Sequence, residues 1–210
     1  DFNGPIHQVV WYSNTEIWMT AQNGVGNSDG GIYSVSVDSS QPGGWAASSN
    51  QIINNGTGPG DQLTRLILSP DRTKGVMWTW NKHQIKVIEL NGSTWSDTLI
   101  TPVQSQNSSN SFVSSATWYN NNKFIIAVSR FGDEGNPNVE FRGSLMVYGL
   151  ADGSWERTET DVTATTPSSA NTNNVPQAVY YDPLSNALIT WLGSVSDTGQ
   201  QTNGNGNSIA

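Results

Sequence analysis

A pattern the size of a β-hairpin recurs four times along this chain, and its fourth copy is cut short. The first half of each copy reads HQVVWYSNTEIWMT from His7, RLILSPDRTKGVMW from Arg65, SATWYNNNKFIIA from Ser115 and QAVYYDPLSNALITW from Gln177. The second half ends in a turn followed by tryptophan in three copies, whereas the fourth retains only the short run NSIA. Self-similarity at about 50–60 residues is typical of one four-stranded sheet per repeat, as in a propeller blade.

The repeat predicts an all-β chain, a β-propeller of four-stranded antiparallel blades with about three and a half blades present. We expect a single unit over 1–210, with repeats at approximately 7–53, 64–101, 114–162 and 176–210. Strand-like runs rich in Val, Ile, Trp, Tyr and Thr alternate with Asn, Gly, Pro and Asp at the turns. No long window places apolar residues at the 3.6-residue spacing of a helix.

The unfinished fourth copy has two readings. Three blades and one hairpin cannot close a ring, since four blades is about the usual lower limit for a propeller. The chain is then either part of a longer polypeptide, or its propeller is completed by a second chain. An open sheet edge would otherwise expose backbone donors and acceptors as a template for aggregation.

Connection lengths assign one end of the predicted blades to function. Turns between first and second strands, and between third and fourth strands, are short. The long connections fall on the opposite rim, at 23–30, 54–62, 102–113, 131–143, 164–175 and 193–207. Because binding groups are concentrated on loops that a rigid scaffold carries, we expect the long-loop rim to be the binding face.

The charge balance excludes one class of partner. Nine Lys and Arg residues against 17 Asp and Glu give a net charge of −8, so a nucleic-acid partner is not expected. The chain has no cysteine and no apolar stretch long enough to span a membrane. It begins without Met, either because a leader has been removed or because it is a piece of something longer. A low-charge surface rich in Asn, Ser, Thr and aromatic residues predicts an extracellular or cell-surface protein without a cofactor.

Three sequons are candidate glycosylation sites in an extracellular protein. They begin at Asn55, Asn91 and Asn107. In a chain this rich in Asn, Ser and Thr, chance supplies about this many.

The densest polar cluster lies in the predicted long loop from 130 to 142. Its charged side chains could bind a sugar or an ion, or form ion pairs within a solvated loop. Their spacing does not match a known calcium loop, so no metal site is predicted. The charged residues of the cluster are Arg130, Asp133, Glu134, Glu140 and Arg142.

The tryptophans divide into two groups. Those at one place in the second strand are predicted to fill the space between blades, and they are Trp18, Trp78 and Trp191. Those that follow the turn before the fourth strand could stack on a sugar or clamp the outer edge of a blade. They are Trp45, Trp95 and Trp155.

The second halves of two copies, QIKVIELNGSTW from Gln84 and SLMVYGLADGSW from Ser144, resemble the six-bladed fucose-binding lectins of fungi. The resemblance implies that an arginine, a glutamate early in the third strand and an aromatic residue hold each sugar. This chain has Val87 and Val147 at the glutamate position, so the fucose site does not carry over. The Asn91 and Asp152 turns also resemble fragments of the Asp-box of sialidases, which is a structural turn.

No catalytic constellation follows from the sequence. The two histidines, His7 and His83, lie in different repeats, which gives no support for a zinc site or a Ser-His-Asp triad. Asp29, Asp61 and Asp133 lie on the long-loop rim, but nothing selects a pair for glycoside hydrolysis.

The sequence therefore predicts an extracellular recognition module that binds a glycan or a protein partner and performs no chemistry. The alternatives are a structural subunit of a surface appendage or coat, and part of a glycoside hydrolase or lyase propeller.

Overall fold

The computed structural model describes residues 6–23, 29–38, 40, 45–54, 65–78, 85–100, 111–130, 142–157, 162–163, 173–195 and 207–209. All the secondary-structure elements within these residues are β-strands. By its internal contacts the chain divides into two compact units. The first comprises Asp1–Thr79 and Ile85–Ile100, and the second comprises Trp80–Gln84 and Thr101–Ala210.

The first unit consists of two four-stranded antiparallel sheets, each with its strands paired in chain order. The first sheet contains β1 (Ile6–Ser13), β2 (Glu16–Asn23), β3 (Asp29–Val37) and β4 (Trp45–Asn54). The second sheet contains β5 (Arg65–Leu68), β6 (Lys74–Trp78), β7 (Ile85–Asn91) and β8 (Thr94–Ile100).

The second unit repeats this arrangement with two differences. The third sheet contains β9 (Ser111–Asn120), β10 (Lys123–Arg130), β11 (Arg142–Ala151), β12 (Ser154–Arg157) and β13 (Val162–Thr163). Both β12 and β13 pair with β11. The fourth sheet has three described strands, β14 (Asn173–Asp182), β15 (Ala187–Val195) and β16 (Asn207–Ile209).

The glycine turns that precede two of the tryptophans are two-residue hairpin loops. Gly92 has a φ of 65° at the first position of the turn between β7 and β8. Asp152 and Gly153 have φ values of 48° and 80° between β11 and β12. Positive φ angles at these positions match the twist of antiparallel hairpins, and asparagine, aspartate and glycine adopt them most readily. The two turns are therefore structural.

The core of the first unit lies between its two sheets. Trp18, Ile32 and Ile53 from the first sheet pack with Leu66, Met77 and Ile88 from the second. Tyr12 stacks on Trp18 with ring centroids 4.3 Å apart. The indole N–H of Trp18 donates to Glu16 Oε1 at 2.7 Å, which satisfies the one polar atom of this side chain.

The cluster between the two sheets of the second unit has the same plan with smaller side chains. Ile125, Ala127, Leu145 and Val147 from the third sheet pack with Val179 from the fourth. Leu188 packs against this cluster from β15. Aliphatic residues thus replace the aromatic centre that the first unit builds around Trp18.

Strand register shows that the two units are internal copies of one another. A bulge follows Trp11 in β1, and another follows Trp118 in β9, so the first and third sheets correspond. In the second and fourth sheets, Trp78 lies opposite Arg65 and Trp191 lies opposite Ala178, with no bulge before the turn. The structural repeat is therefore a pair of sheets.

The predicted fold class, an all-β chain of four-stranded antiparallel propeller blades, is confirmed. Trp18 and Trp78 are buried, at 1% and 6% exposure, as expected for packing residues. Trp191 is 54% exposed, so the prediction that it fills a space between blades is wrong for this chain. The face of the fourth sheet that carries Trp191 is not covered.

Candidate active site at the start of the first strands

The first strands of neighbouring sheets lie side by side within each unit. In the first unit, Gln8 Nε2 donates to the carbonyl oxygen of Leu66 at 2.9 Å, and the N–H of Leu66 donates to Gln8 Oε1 at 2.7 Å. In the second unit, the N–H of Val179 donates to Ser115 Oγ at 3.2 Å. Ser115 corresponds to Gln8 and Val179 to Leu66, so the same two positions join the sheets in both units.

Both first strands of the first unit begin at the end where the predicted long loops lie. Ile6 at the start of β1 lies opposite Ala21 near the end of β2, and Arg65 at the start of β5 lies opposite Trp78 at the end of β6. The connections that follow β2 and β6 therefore leave from this end, which is the predicted binding face.

His7 and Arg65 lie at this end, each one residue before a partner in the Gln8–Leu66 contact. The register of β1 shifts between Ile6 and Gln8, which makes His7 the extra residue of a bulge. Bulges redirect a side chain and occur often next to active sites. Both His7 and Arg65 are exposed. The bonded pair between them holds their strands in a fixed relation.

The fold does not require a histidine and an arginine here. In the second unit the corresponding residues are Ser114 and Ala178, and Ser114 again occupies the bulge. The Ser114 hydroxyl donates to the carbonyl oxygen of Ala127 at 3.1 Å, which is a structural contact. The imidazole and the guanidinium of the first unit are thus additions to a shared scaffold.

This pair of groups suits a reaction at a carbonyl carbon. A neutral imidazole can accept a proton from water near neutral pH, and histidine is the commonest general base. A guanidinium stabilises the negative charge that develops on an oxygen, and it binds carboxylates with two parallel hydrogen bonds. Hydrolysis of an ester or a lactone needs both a base that accepts a proton from water and a group that stabilises negative charge on the carbonyl oxygen.

Within the described residues, the groups with shifted pKa values lie at the opposite, short-turn end. Burial alone would raise the pKa of Asp71, but hydrogen bonds from the Ser69 hydroxyl and the Thr73 N–H lower it below its usual value. A hydrogen bond from Ser185 lowers the pKa of Asp182. Partial burial and the nearby Tyr119 raise the pKa of Tyr181. These shifts arise from turn geometry and ring packing, so they do not mark a catalytic site.

The residues of the predicted polar loop are only partly within the described structure. Arg130 at the end of β10 lies opposite Arg142 at the start of β11, which brings the two backbone positions together at the predicted binding rim. Asp133, Glu134 and Glu140 lie outside the described residues. Their predicted role in ligand binding stays a prediction.

The tryptophans after the turns have different surroundings. Trp95 packs edge-on against Trp18 at 4.9 Å between ring centroids, and Trp155 packs edge-on against Trp118 at 5.8 Å. Both side chains are half-buried. Trp45 begins β4, and its side chain lies outside the described residues. A sugar-stacking role for the three tryptophans remains a prediction.

Among the sequons, Asn91 is exposed, and its side-chain amide donates to Ser96 Oγ at 2.9 Å. Asn55 and Asn107 lie outside the described residues. No group of three or more potential metal ligands occurs within the described part of the chain. That part also contains no helix long and apolar enough to cross a membrane.

Comparison with known proteins returns structures rather than sequence families. No family model and no curated protein matches the chain. The chain is similar to a protein from Lactobacillus plantarum, with a TM-score of 0.58 and 10% identity over 95% of this chain. It is also similar to the periplasmic gluconolactonase of Pseudomonas aeruginosa, with a TM-score of 0.53 and 15% identity over 98% of this chain. A third similar structure is a candidate 6-phosphogluconolactonase of Bacteroides fragilis, with a TM-score of 0.54 and 8% identity over 98% of this chain.

The chain spans 54% of the length of each of these three structures. Two of them are described as lactonases, which are enzymes. This finding contradicts the predicted recognition module without chemistry and the interpretation that the chain is more likely not an enzyme. At 8–15% identity the likeness itself shows the fold alone, so lactonase chemistry is a proposal for this chain.

Sequence reasoning missed His7 and Arg65 as a pair. They are 58 positions apart in different repeats, and only the register of β1 against β5 brings their strand ends together. One signal was available. When the copies are aligned, histidine occurs once at the position that precedes Gln8, and a serine stands there in the third copy.

Proposed function

We propose that this chain hydrolyses a sugar-derived lactone, with His7 and Arg65 as its catalytic residues. The observation that carries the proposal is the placement of these two groups at the same end of adjacent first strands. That end is also the one from which the connections after β2 and β6 leave. The similarity to gluconolactonase structures supports the choice of substrate class.

The proposed reaction needs only water and the lactone. A water oxygen attacks the carbonyl carbon while the imidazole of His7 takes one of its protons. The guanidinium of Arg65 stabilises the negative charge on the former carbonyl oxygen. The bond from the carbonyl carbon to the ring oxygen then breaks, and the imidazolium returns its proton to that ring oxygen. The product is an open-chain hydroxy acid whose carboxylate can pair with Arg65.

Charge favours an uncharged lactone over a phosphorylated one. The chain carries a net charge of −8, so it repels a phosphate ester at long range. Arg65 contributes one positive charge at the proposed site, and the product carboxylate would use it. Glucono-δ-lactone is therefore the first substrate to test, with 6-phosphogluconolactone as the comparison.

The direct test is a continuous acid-release assay with glucono-δ-lactone, corrected for spontaneous hydrolysis. We expect the chain to accelerate ring opening, and we expect His7→Gln and Arg65→Ala each to reduce kcat/KM by about 10²-fold or more. The proposal would be overturned if a range of lactones hydrolysed no faster with the wild-type protein than they do spontaneously.

Arg72→Ala is a matched control for the loss of one arginine. The Arg72 guanidinium donates to the carbonyl oxygen of Tyr12 at the short-turn end of the same two sheets, at 2.6 Å. This variant should keep the wild-type rate while it loses a contact between the sheets. Equal loss of activity in Arg72→Ala and Arg65→Ala would show that the effect is structural rather than catalytic.

The proposal extends to location. An extracytoplasmic site of action is supported by the periplasmic gluconolactonase among the structural neighbours. Fractionation of the expressing cells, with a periplasmic marker enzyme as reference, tests this part separately.

A further inference from the structure

Two tyrosines on neighbouring sheets of the second unit have their rings in contact. Tyr119 on β9 and Tyr181 on β14 have ring centroids 4.5 Å apart, and their ring planes are tilted by 45°. The two residues belong to different repeats, so the packing of the sheets brings them together. Tyr119 is 39% exposed and Tyr181 is half-buried, so a reagent in solution can reach the pair.

Hydrogen bonds between the two strands fix the position of the pair. The N–H of Val179 donates to Ser115 Oγ at 3.2 Å. The N–H of Tyr181 donates to Thr117 Oγ1 at 3.1 Å. Because side chains alternate along a strand, Tyr181 points to the third sheet, as Val179 does. The ring contact therefore follows from the placement of the strands.

Each ring has one further contact that limits its rotation. The ammonium nitrogen of Lys123 lies 5.7 Å from the centroid of the Tyr119 ring. The Tyr181 hydroxyl donates to Asn186 Oδ1 at 2.9 Å. Partial burial and then the nearby Tyr119 raise the pKa of Tyr181, and an effect of one phenol on the other requires their hydroxyl groups to be close. The ring edges that carry the hydroxyls therefore lie near one another.

The fold does not require two tyrosines at this place. In the first unit the corresponding residues are Tyr12 and Leu68. The ring of Tyr12 stacks on Trp18, and both Tyr12 and Leu68 pack against the core of that unit. The first unit thus uses these positions for apolar packing, whereas the second unit presents two phenols at its surface.

We propose that Tyr119 and Tyr181 form a site of oxidative cross-linking, at which a one-electron oxidant of the peroxidase class joins the third sheet to the fourth. The oxidant removes one electron and one proton from each phenol, which leaves two tyrosyl radicals. The radicals couple through a carbon–carbon bond between the positions ortho to their hydroxyls. The ring hydrogens displaced at the new bond then return to the two oxygens, which restores both phenols. One hydrogen peroxide molecule accepts the two electrons and two protons and becomes two water molecules.

The cross-link would connect two strands that are far apart in the sequence. A covalent bond of this kind restricts the unfolded chain, as a disulfide does, and this chain has no cysteine with which to form a disulfide. We therefore expect the cross-linked protein to resist unfolding better than the untreated protein. The proposal is independent of the lactonase activity, because the pair lies at the short-turn end of the second unit.

The test treats the full chain, at low concentration, with a haem peroxidase and hydrogen peroxide. We expect a monomeric product that has lost two hydrogen atoms in mass and shows the blue fluorescence of dityrosine. Trypsin cuts after lysine and arginine, so Tyr119 falls in peptide 87–123 and Tyr181 in peptide 158–210. The digest should contain these two peptides joined, and the urea midpoint of the product should be higher than that of the untreated protein.

Three substitutions of tyrosine by phenylalanine separate this pair from other exposed phenols. Tyr119→Phe and Tyr181→Phe should each lose the product, because each keeps a ring but removes a phenol. Tyr180→Phe is the matched control and should keep it. Tyr180 precedes Tyr181 in β14 and is 59% exposed, but its side chain points away from the third sheet.

Three results would overturn the proposal. The first is cross-linking of the wild-type protein only between chains, and the second is an unchanged yield of the monomeric product in Tyr119→Phe. The third is an equal yield from the folded protein and from the protein unfolded in urea, since the ring contact exists only in the folded state. Circular dichroism before treatment shows that each variant is folded.

Discussion

The Thr117 hydroxyl accepts a hydrogen bond from the backbone N–H of Tyr181 at 3.1 Å, across the two sheets of the second unit. Val10 occupies the corresponding position of the first unit and offers no acceptor to Leu68 there. The first unit instead gains two bonds from the carboxamide of Gln8 to Leu66. Two copies of one scaffold thus join their sheets with different polar side chains.

Replacing Thr117 by valine should lower the free energy of unfolding by about 1 kcal/mol, because the Tyr181 N–H loses its acceptor while the side-chain volume is kept. Urea unfolding followed by tryptophan fluorescence measures the change. The reciprocal variant Val10→Thr supplies an acceptor near Leu68 and should be neutral or slightly stabilising. A Thr117→Val variant as stable as the wild type would show that this hydrogen bond does not contribute to the free energy of unfolding.

Replacing Gln8 by glutamate should make stability depend on pH. The Leu66 N–H can donate to either form of the new side chain, but only the protonated carboxyl can donate to the Leu66 carbonyl oxygen, so the folded state raises the pKa of the new group. Its stabilising contribution is then present below the unfolded pKa and is lost as the pH rises through the folded pKa. Urea midpoints over a pH series should fall from acid to neutral relative to the wild type. Parallel curves for the two proteins would contradict this expectation.

Truncation of Trp18 to alanine should be among the most damaging single changes in the first unit. The side chain is 1% exposed and packs between Tyr12 and Trp95. We expect a loss of about 3–5 kcal/mol. Trp95→Ala removes a half-buried ring from the same cluster and should cost about 1–2 kcal/mol. Thermal melts of both variants compare the two losses, and equal losses would argue against Trp18 as the centre of this core.

Two glycines should respond to alanine substitution for different reasons. A Cβ atom at Gly31 would lie 2.3 Å from the carbonyl oxygen of Ile53, so β3 and β4 would have to separate. Gly153 has open space around it but a φ of 80°. Gly153→Ala should cost about 1–2 kcal/mol from backbone strain. Gly31→Ala should cost more, with part of the protein insoluble on expression, and the reverse order in urea unfolding would refute the steric argument.

Acid should weaken the fourth sheet through the turn that follows β14. Hydrogen bonds from the Ser185 hydroxyl and the Leu184 N–H lower the pKa of Asp182. A carboxyl with a lowered folded pKa stabilises the fold above its unfolded pKa, and this contribution is lost as the pH falls through the folded pKa. Asp182→Asn should be less stable at neutral pH and should lose less stability on acidification. Melting temperatures at neutral and acid pH measure the difference, and equal acid slopes in both proteins would contradict it.

The alternation of apolar residues with turn residues predicted most of the hairpins. The second repeat was predicted at approximately 64–101, and the four strands of the second sheet lie between Arg65 and Ile100. These elements are local, because two residues of a turn and a period of two in side-chain direction define them.

The pairing of sheets into units was not predictable in the same way. It depends on contacts between strands that are far apart in the sequence, such as that of Gln8 with Leu66, and the apolar pattern of a single strand does not specify such contacts. The candidate site depends on this pairing, because it brings the start of β1 beside the start of β5. The predicted recognition module rested on surface composition and loop length, which are visible in the sequence, whereas the arrangement of strand ends is not.

The polar contacts between sheets also give the molecule built-in reporters of partial opening. The amide hydrogens of Leu66, Val179 and Tyr181 belong to edge strands, yet side chains of the neighbouring sheet accept all three. Separation of two sheets would expose these amides to exchange with solvent while the ladders inside each sheet stay protected. Their deuterium uptake, compared with that of amides inside each sheet, would measure how often one sheet parts from the next without unfolding.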